Sequence, residues 1–307
     1  MSVKEQLQGV TVVITGASSG FGKGIAIKLA EEGANVVLAA RRTELIKALA
    51  SSCGDQALAV TADVGKPEEV ERLAGEAIDK FGRIDVWINN AGIGILGSYT
   101  DVPLADLTRV TETNLLGTMY GSHIALRHFK AKGAGTLINI SSISGKIAFP
   151  FYSAYSATKF AVTGLTKGLH LEVKSEGYEH IHVCGVYPWA TDTPWFDHTG
   201  NYSGHTARMQ PLDRPEHVVD AVIDLIRNPQ EEVEVGAYAK GTAVSSHLFP
   251  SFTDQMSGKL VLKMIHDAPE TAPTSGSLYE PMAIGTEVSG GVQARIEAED
   301  RRISQQH

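Results

Sequence analysis

Six short runs, VTVVIT, NVVLAA, ALAVTADV, IDVWINNAG, GTLINISS and IHVCGVYP, are rich in β-branched residues and almost unbroken in apolar ones. A strand with one wet face alternates apolar with polar, so unbroken runs predict strands covered on both faces. Between them, GKGIAIKLAEEG and PEEVERLAGEAIDKFG carry apolar residues at helical spacing and end on a glycine, the pattern of amphipathic helices stopped by a C-terminal cap. The repeated strand, helix, strand order predicts an α/β domain: a doubly wound parallel sheet of about seven strands with helices on both faces.

The seventh strand is expected in EEVEVG, after the helix RPEHVVDAVIDLIRNP. The dinucleotide-binding and catalytic domain then spans residues 1–239. Residues 240–307 hold an amphipathic helix over about 252–266 and the segment DAPETAPTSGSLYEPMAIGTEVSGG, whose Gly, Pro, Ser and Thr content predicts an arm and not a second domain. Two fates are open to that arm, embracing a neighbouring subunit or remaining disordered.

Composition narrows the function classes. A chain of 307 residues with 43% hydrophobic and 20% charged residues suits an enzyme with a sizeable buried core. The net charge of -8 and the dispersed Lys and Arg give no footprint for nucleic acid. No run is long and apolar enough for a membrane span, and the polar opening MSVKEQLQG does not resemble a signal peptide. A cytoplasmic protein with no membrane partner is expected. Cys53 and Cys184 are far apart and lack CxxC spacing, so neither a disulfide framework nor a zinc knuckle is expected.

Gly16, Gly20 and Gly22 stand between the first strand and the first helix in Gly-x-x-x-Gly-x-Gly spacing. Positions without side chains let the backbone approach a pyrophosphate, and the helix N-terminus offers it free N–H groups. No Gly-Lys-Ser/Thr follows, which excludes a Walker loop. The residue ending the second strand of such a unit selects the cofactor: an acid binds the ribose hydroxyls of NAD, whereas Arg accommodates a 2′-phosphate. Here Ala40 is followed by Arg41 and Arg42, so NADP(H) is favoured over NAD(H).

In YSAYSATKF, Tyr155 and Lys159 are four residues apart and share one helix face. A phenol with the usual pKa of about 10 is a poor base at neutral pH. A neighbouring ammonium is expected to lower that value and make Tyr155 a proton donor or acceptor.

TGASSGFG, NNAG, NISS and YSATK, in this order, resemble the short-chain dehydrogenase/reductase family, in its shorter single-domain branch, across residues 7–236. The resemblance implies a Rossmann-type fold and interconversion of a secondary alcohol and a carbonyl by hydride transfer. It implies Ser142, Tyr155, Lys159 and Asn114 as the catalytic set, with Ser142 thirteen residues before Tyr155. It further implies cofactor contacts from Gly16, Ser18, Ser19, Gly20, Phe21, Gly22, Arg41, Arg42, Val64, Asn90, Ala91, Gly92, Tyr155, Lys159 and Pro188. Asp63 would contact adenine, Asn89, Ala91 and Gly92 the adenosine ribose, and Thr193 the nicotinamide carboxamide. A water beside Asn114 and Lys159 would supply protons. Helices around LLGTMYGSHIALRHFKAKG and SAYSATKFAVTGLTKGLHLEVKSEG would pair subunits into a homodimer or homotetramer.

One departure stands out in YPWATDTPWF, where Trp189 holds a position the family gives to glycine. It requires Trp at negative φ or a reshaped turn. The following segment, PWFDHTGNYSGHTARMQPLDRP, is expected to be a substrate cover, with Trp195, Phe196 and Tyr202 facing apolar or ring-bearing ligands. His198 and His205 lack metal-pair spacing, and no metal site is expected. Tyr152 is expected to form pocket or packing surface. Two other readings of the chain are a nucleotide-sensing scaffold of the same fold without catalysis, and a sugar-nucleotide epimerase. The matched Ser, Tyr and Lys disfavour the first; glycine spacing and the lack of a substrate domain disfavour the second.

Overall fold

A computed structural model describes residues 7–304; the polar opening and the extreme C-terminus lie outside the described residues. Seven strands form one sheet: β1 (Thr11–Thr15), β2 (Asn35–Ala40), β3 (Ala57–Thr61), β4 (Val86–Asn89), β6 (Gly135–Ile140), β7 (Ile181–Pro188) and β9 (Glu232–Val235). Their order is β3-β2-β1-β4-β6-β7-β9, and every pairing is parallel. Two short strands, β5 (Ile95–Leu96) and β8 (Gly200–Asn201), pair separately.

The strand runs are apolar throughout because successive side chains feed two different cores. Val12 and Ile14 of β1, Val36 and Leu38 of β2, and Val86 and Ile88 of β4 pack with one set of helices: α1 (Gly20–Glu31), α2 (Thr43–Cys53) and α8 (Pro215–Arg227). Val13, Val37 and Trp87, the intervening residues, pack with α3 (Pro67–Phe81), α5 (Gly117–Lys132) and α6 (Ser153–Ser175) on the other face. The chain winds outward in opposite directions from β1 and β4, so a crevice opens beyond the carboxyl ends of these strands.

Helix α4 (Leu104–Thr111) runs into α5 through a π-helical turn at Glu112–Leu116. Such turns are rare and often mark functional sites; this one carries Asn114. The short α7 (Trp195–His198) opens the expected substrate cover. Beyond β9 the structure adds α9 (Ala237–Leu248), α10 (Pro250–His266) and α11 (Val292–Ser304). Only the middle one had a clear helical pattern in the sequence. Helices α9, α10 and α11 build a third core with Ala239, Val261, Val292 and Ile296 around the aromatic residues of the crevice. No helix among the described residues is long and apolar enough to cross a membrane.

The arm does not stand away from the molecule. Residues 269–291 run back along the crevice, exchanging backbone hydrogen bonds with the segment expected to cover substrate: Asn201 N–H to Thr274 O at 2.7 Å and Thr274 N–H to Asn201 O at 2.9 Å. Leu278 is fully buried among Ile93, Ile95, Val102 and Val110.

Candidate active site

The turn after β1 shows why its glycines are needed. Gly16 has φ +70°, and a Cβ there would lie 2.8 Å from Ala91 Cα; a Cβ on Gly22 would lie 2.4 Å from Gly16 O. The turn is latched to the loop after β4. Asn90 Nδ2 donates to Thr15 O at 2.8 Å, and Thr15 Oγ1 accepts from Asn90 N–H at 3.0 Å and Ala91 N–H at 3.1 Å. Together these residues leave a backbone-walled cradle at the N-terminus of α1, a fit for a pyrophosphate.

Gly16, Ser18, Ser19, Gly20, Phe21, Arg41, Arg42, Asp63, Val64, Asn90, Ala91, Gly92, Pro188 and Thr193 line one continuous cleft with Ser142, Tyr155 and Lys159. Asn89 does not belong to it. Its side chain points into the core below the sheet, where Nδ2 donates to Ser122 Oγ at 3.1 Å and to Asn139 Oδ1 at 2.9 Å, and Oδ1 accepts from Trp87 Nε1 at 2.7 Å. The period of two in a strand places neighbouring Asn89 and Asn90 on opposite sides, and only Asn90 reaches the cleft.

At the far end of the cleft, Arg42 Nε donates to Ser18 Oγ at 3.0 Å and its Nη2 to Ser19 Oγ. Asp63 accepts from Gly65 N–H at 3.0 Å and from Arg109. Burial alone would raise the Asp63 pKa; the Arg109 hydrogen bond and charge, the Gly65 N–H and the Arg41 charge outweigh it and hold the carboxyl below its ordinary value.

At the near end, Ser142 caps a 3₁₀ turn, Ile143–Gly145, its Oγ accepting from Ser144 N–H at 3.1 Å. The same hydroxyl faces the cleft beside Tyr155 and pulls its pKa down. Lys159, buried, donates to Ile140 O at 2.9 Å, with Nζ 5.7 Å from the Tyr155 ring centroid. Asn114 is held by Ile93 from both sides, Oδ1 accepting from its N–H and Nδ2 donating to its O, each at 2.9 Å; Nδ2 also donates to Thr158 Oγ1 at 3.1 Å. The Asn114 amide is therefore committed to the protein. Gly92 separates it from Lys159: a Cβ on Gly92 would lie 3.6 Å from both Asn114 Oδ1 and Lys159 Nζ.

The expected lowering of the Tyr155 pKa is not seen in the free site. Burial pushes the phenol up to about 12 against the opposing pull of Ser142. Burial also pushes the Lys159 ammonium down to about 8. A dry pocket disfavours both charged forms, and the lysine, turned to a carbonyl, does not offset that for the phenol.

Aromatic rings close the near end. Trp195 lies 5.0 Å from Tyr155 centroid to centroid and stacks on Tyr152 at 6.2 Å, while Phe196 meets Trp195 edge-on. A Cβ on Gly94 would collide with the Trp195 ring, so glycine is required under the indole. Trp189 is not at positive φ; among the described residues only Phe151 is, apart from glycines. Its indole donates to Pro211 O at 2.8 Å and packs on Phe149 and Tyr238. Tyr152 is buried, faces the same cleft, and its hydroxyl has no hydrogen-bond partner.

Ser277, Pro281 and Met282 of the arm complete the wall opposite Arg41 and Arg42. Nothing in the pattern of the arm announced this, because backbone carbonyls make most of its contacts and carry no sequence signal.

Comparisons with known proteins agree with this fold. The family model described as short chain dehydrogenase matches residues 10–201. An uncharacterized oxidoreductase, YxnA, of Bacillus subtilis (strain 168) is 35% identical over 285 residues, spanning 90% of this chain and 79% of that protein. A 3beta-hydroxysteroid dehydrogenase 1 of Eggerthella lenta is 38% identical over 62% of this chain and 74% of its own. Among solved structures, a 3-ketoacyl-(acyl-carrier-protein) reductase from Brucella melitensis complexed with NADH superposes with TM-score 0.68 and 30% identity, covering 76% of this chain and 100% of that one. An alcohol dehydrogenase from Thermococcus sibiricus complexed with 5-hydroxy-NADP gives 0.65 and 26%, covering 75% and 97%. With the glycine turn, the parallel sheet and the match over most of the catalytic domain in hand, the chain belongs to the short-chain dehydrogenase/reductase family of oxidoreductases.

Proposed function

We propose that the protein is an NADP(H)-dependent oxidoreductase that interconverts a bulky, largely apolar secondary alcohol and the corresponding carbonyl. The observation that carries this reading is the meeting of Ser142, Tyr155 and buried Lys159 at one end of a cleft whose other end holds Arg41 and Arg42. The cofactor would be held by the Gly16–Gly22 turn, Asn90, Lys159 and Thr193, with Arg41 and Arg42 toward the 2′-phosphate. When bound, its nicotinamide supplies or accepts the hydride.

The remaining chemistry falls to this chain. Tyr155, protonated in a dry site, donates its phenolic proton to the carbonyl oxygen during reduction and takes it back from the alcohol during oxidation. Ser142 hydrogen-bonds the same oxygen as charge develops on it. Lys159 restores the proton to Tyr155, and Asn114 holds the loop at Ile93 that keeps Lys159 enclosed. The rings of Tyr152, Trp195 and Phe196 exclude water and favour a flat apolar substrate. Relatives named for hydroxysteroid and ketoacyl chemistry support that size and polarity.

Exposed Met119 on α5 and Phe160 and Leu171 on α6 support self-association through these helices into a homodimer or homotetramer; light scattering on the purified protein tests it. The activity is tested by NADPH oxidation against a panel of ketones, steroidal and acyclic. Firm NADPH binding without turnover on any ketone or alcohol would overturn the enzymatic reading.

A further inference from the structure

The arm holds the two arginines that a 2′-phosphate would need. Arg41 Nη1 donates to the carbonyls of Leu278 at 3.0 Å and Tyr279 at 2.9 Å, and Nη2 donates to Ser277 O. Arg42 Nη1 donates to Gly285 O at 3.1 Å and Ile284 O at 3.3 Å, with Met282 O at 3.5 Å. Arg109 Nε shares the Leu278 carbonyl at 2.9 Å. Further along, Gly20 N–H donates to Glu287 O at 2.9 Å, and Lys23 donates to Thr286 O and to the Glu287 carboxylate. A single segment thus sets a row of oxygen acceptors along the cationic end of the cleft.

The arm acceptors that meet Arg41 and Arg42 are uncharged carbonyls, and the guanidinium groups are partly buried, which lowers the pKa of both arginines chiefly through burial. A phosphate dianion is a stronger acceptor for the same forks. It also cannot sit beside a row of carbonyl oxygens without repulsion. A ribose 2′-hydroxyl, by contrast, is a donor as well as an acceptor and can share the site with carbonyls.

We propose that residues 277–285 are an intramolecular competitor for the 2′-phosphate: NADP(H) draws Arg41 and Arg42 away from the arm and releases it, whereas NAD(H) binds with the arm in place. The arm is then a determinant of cofactor choice that lowers NADP(H) affinity without altering NAD(H) affinity. This inference rests on the assignment of Arg41 and Arg42 to the 2′-phosphate.

The arm is pinned by Leu278 in its apolar socket, by the Tyr279 hydroxyl donating to Asp106 at 2.9 Å, and by Ser277 N–H donating to His198 O at 2.9 Å. Hydrogen exchange on the full chain reads it directly. NADPH should accelerate exchange of the Ser277 and Leu278 amides, and NADH should not; slower exchange with NADPH would make the arm a lid that closes on the phosphate and would overturn the proposal.

Leu278→Ala, which loosens the anchor and leaves both arginines in place, should tighten NADPH binding by about tenfold and NADH binding by less than about twofold. Tyr279→Phe, a gentler change at the surface, should shift NADPH in the same direction by a smaller factor. Equal effects on both cofactors in both variants would overturn the competition. If Arg41→Ala weakens the two cofactors equally, the 2′-phosphate assignment fails first, and that result is distinct from a null effect at Leu278.

Discussion

The two ends of the cleft are built on different principles. The proposed catalytic end comes from residues 142–159, close in sequence, and its dryness comes from aromatic rings laid over it. The end proposed to select the cofactor joins Arg41 and Arg42 to carbonyls more than 230 residues away. The first end suppresses charge: burial drives both Tyr155 and Lys159 toward their neutral forms. The second retains charge and surrounds it with carbonyl dipoles and the carboxylates of Asp63 and Glu280. A dry end suits proton transfer at a fixed distance: with the phenol pushed up to about 12 and the ammonium down to about 8, return of a proton from Lys159 to a Tyr155 phenolate runs downhill. An end held by exchangeable hydrogen bonds suits a choice between ligands, because each bond is a modest net gain that a stronger acceptor can replace.

The contrast can be broken most severely at Tyr155. Tyr155→Phe removes the proton donor proposed for the substrate oxygen and is expected to lower turnover by about 10²–10⁴-fold while leaving NADPH binding, read by fluorescence, unchanged. Turnover near the wild-type value would take the acid/base role away from this residue.

The pH profile tests the same end. Lys159, pushed down to about 8, carries its proton below that value and loses it above. Reduction uses the protonated form, so kcat/KM for a ketone should be level at lower pH and fall by about tenfold per unit above pH 8. In stability the sign runs the other way. Between about 8 and the ordinary 10.5 the unfolded chain keeps a proton that the folded chain has lost, so the Lys159 contribution to folding stability rises with pH across that window. Urea unfolding of Lys159→Met should lack this rise; a slope unchanged from wild type would show that Lys159 is not the group responsible.

At the other end, Arg41→Ala should weaken NADPH by about 10-fold to 100-fold through loss of a charge-assisted fork, with NADH nearly unaffected. The smallest expected effect is at Tyr152. Its buried hydroxyl lacks a partner, which costs stability unless a ligand fills the bond. Tyr152→Phe should raise the melting temperature of the free protein slightly and raise KM a few-fold for substrates bearing a second acceptor, with kcat little changed. A lower melting temperature would mean that the hydroxyl has a partner in the free protein.

Much of this molecule is readable from local chemistry. The strand runs, the glycine turn and the four-residue spacing of Tyr155 and Lys159 each rest on a short-range rule: pleat period, backbone clearance, helix pitch. Helix α9 escaped because AYAKGTAVSSHL has little apolar period, and its boundary with β9 is drawn by packing on Trp189. Asn89 and Asn90 could not be told apart without the strand register. Trp189 required the surrounding fold to show that its ring turns toward Pro211 and the third core.

Sequence alone therefore specified the sheet, the phosphate turn, the two arginines and the Ser, Tyr and Lys set, since each depends on neighbours within one or two elements. The protonation balance in the site, the stacking of Trp195 over Tyr155 and the seat of the arm depended on the folded whole. Desolvation is a property of everything packed around a group, and a backbone carbonyl that meets Arg41 from residue 278 looks, in the sequence, like every other carbonyl in the chain.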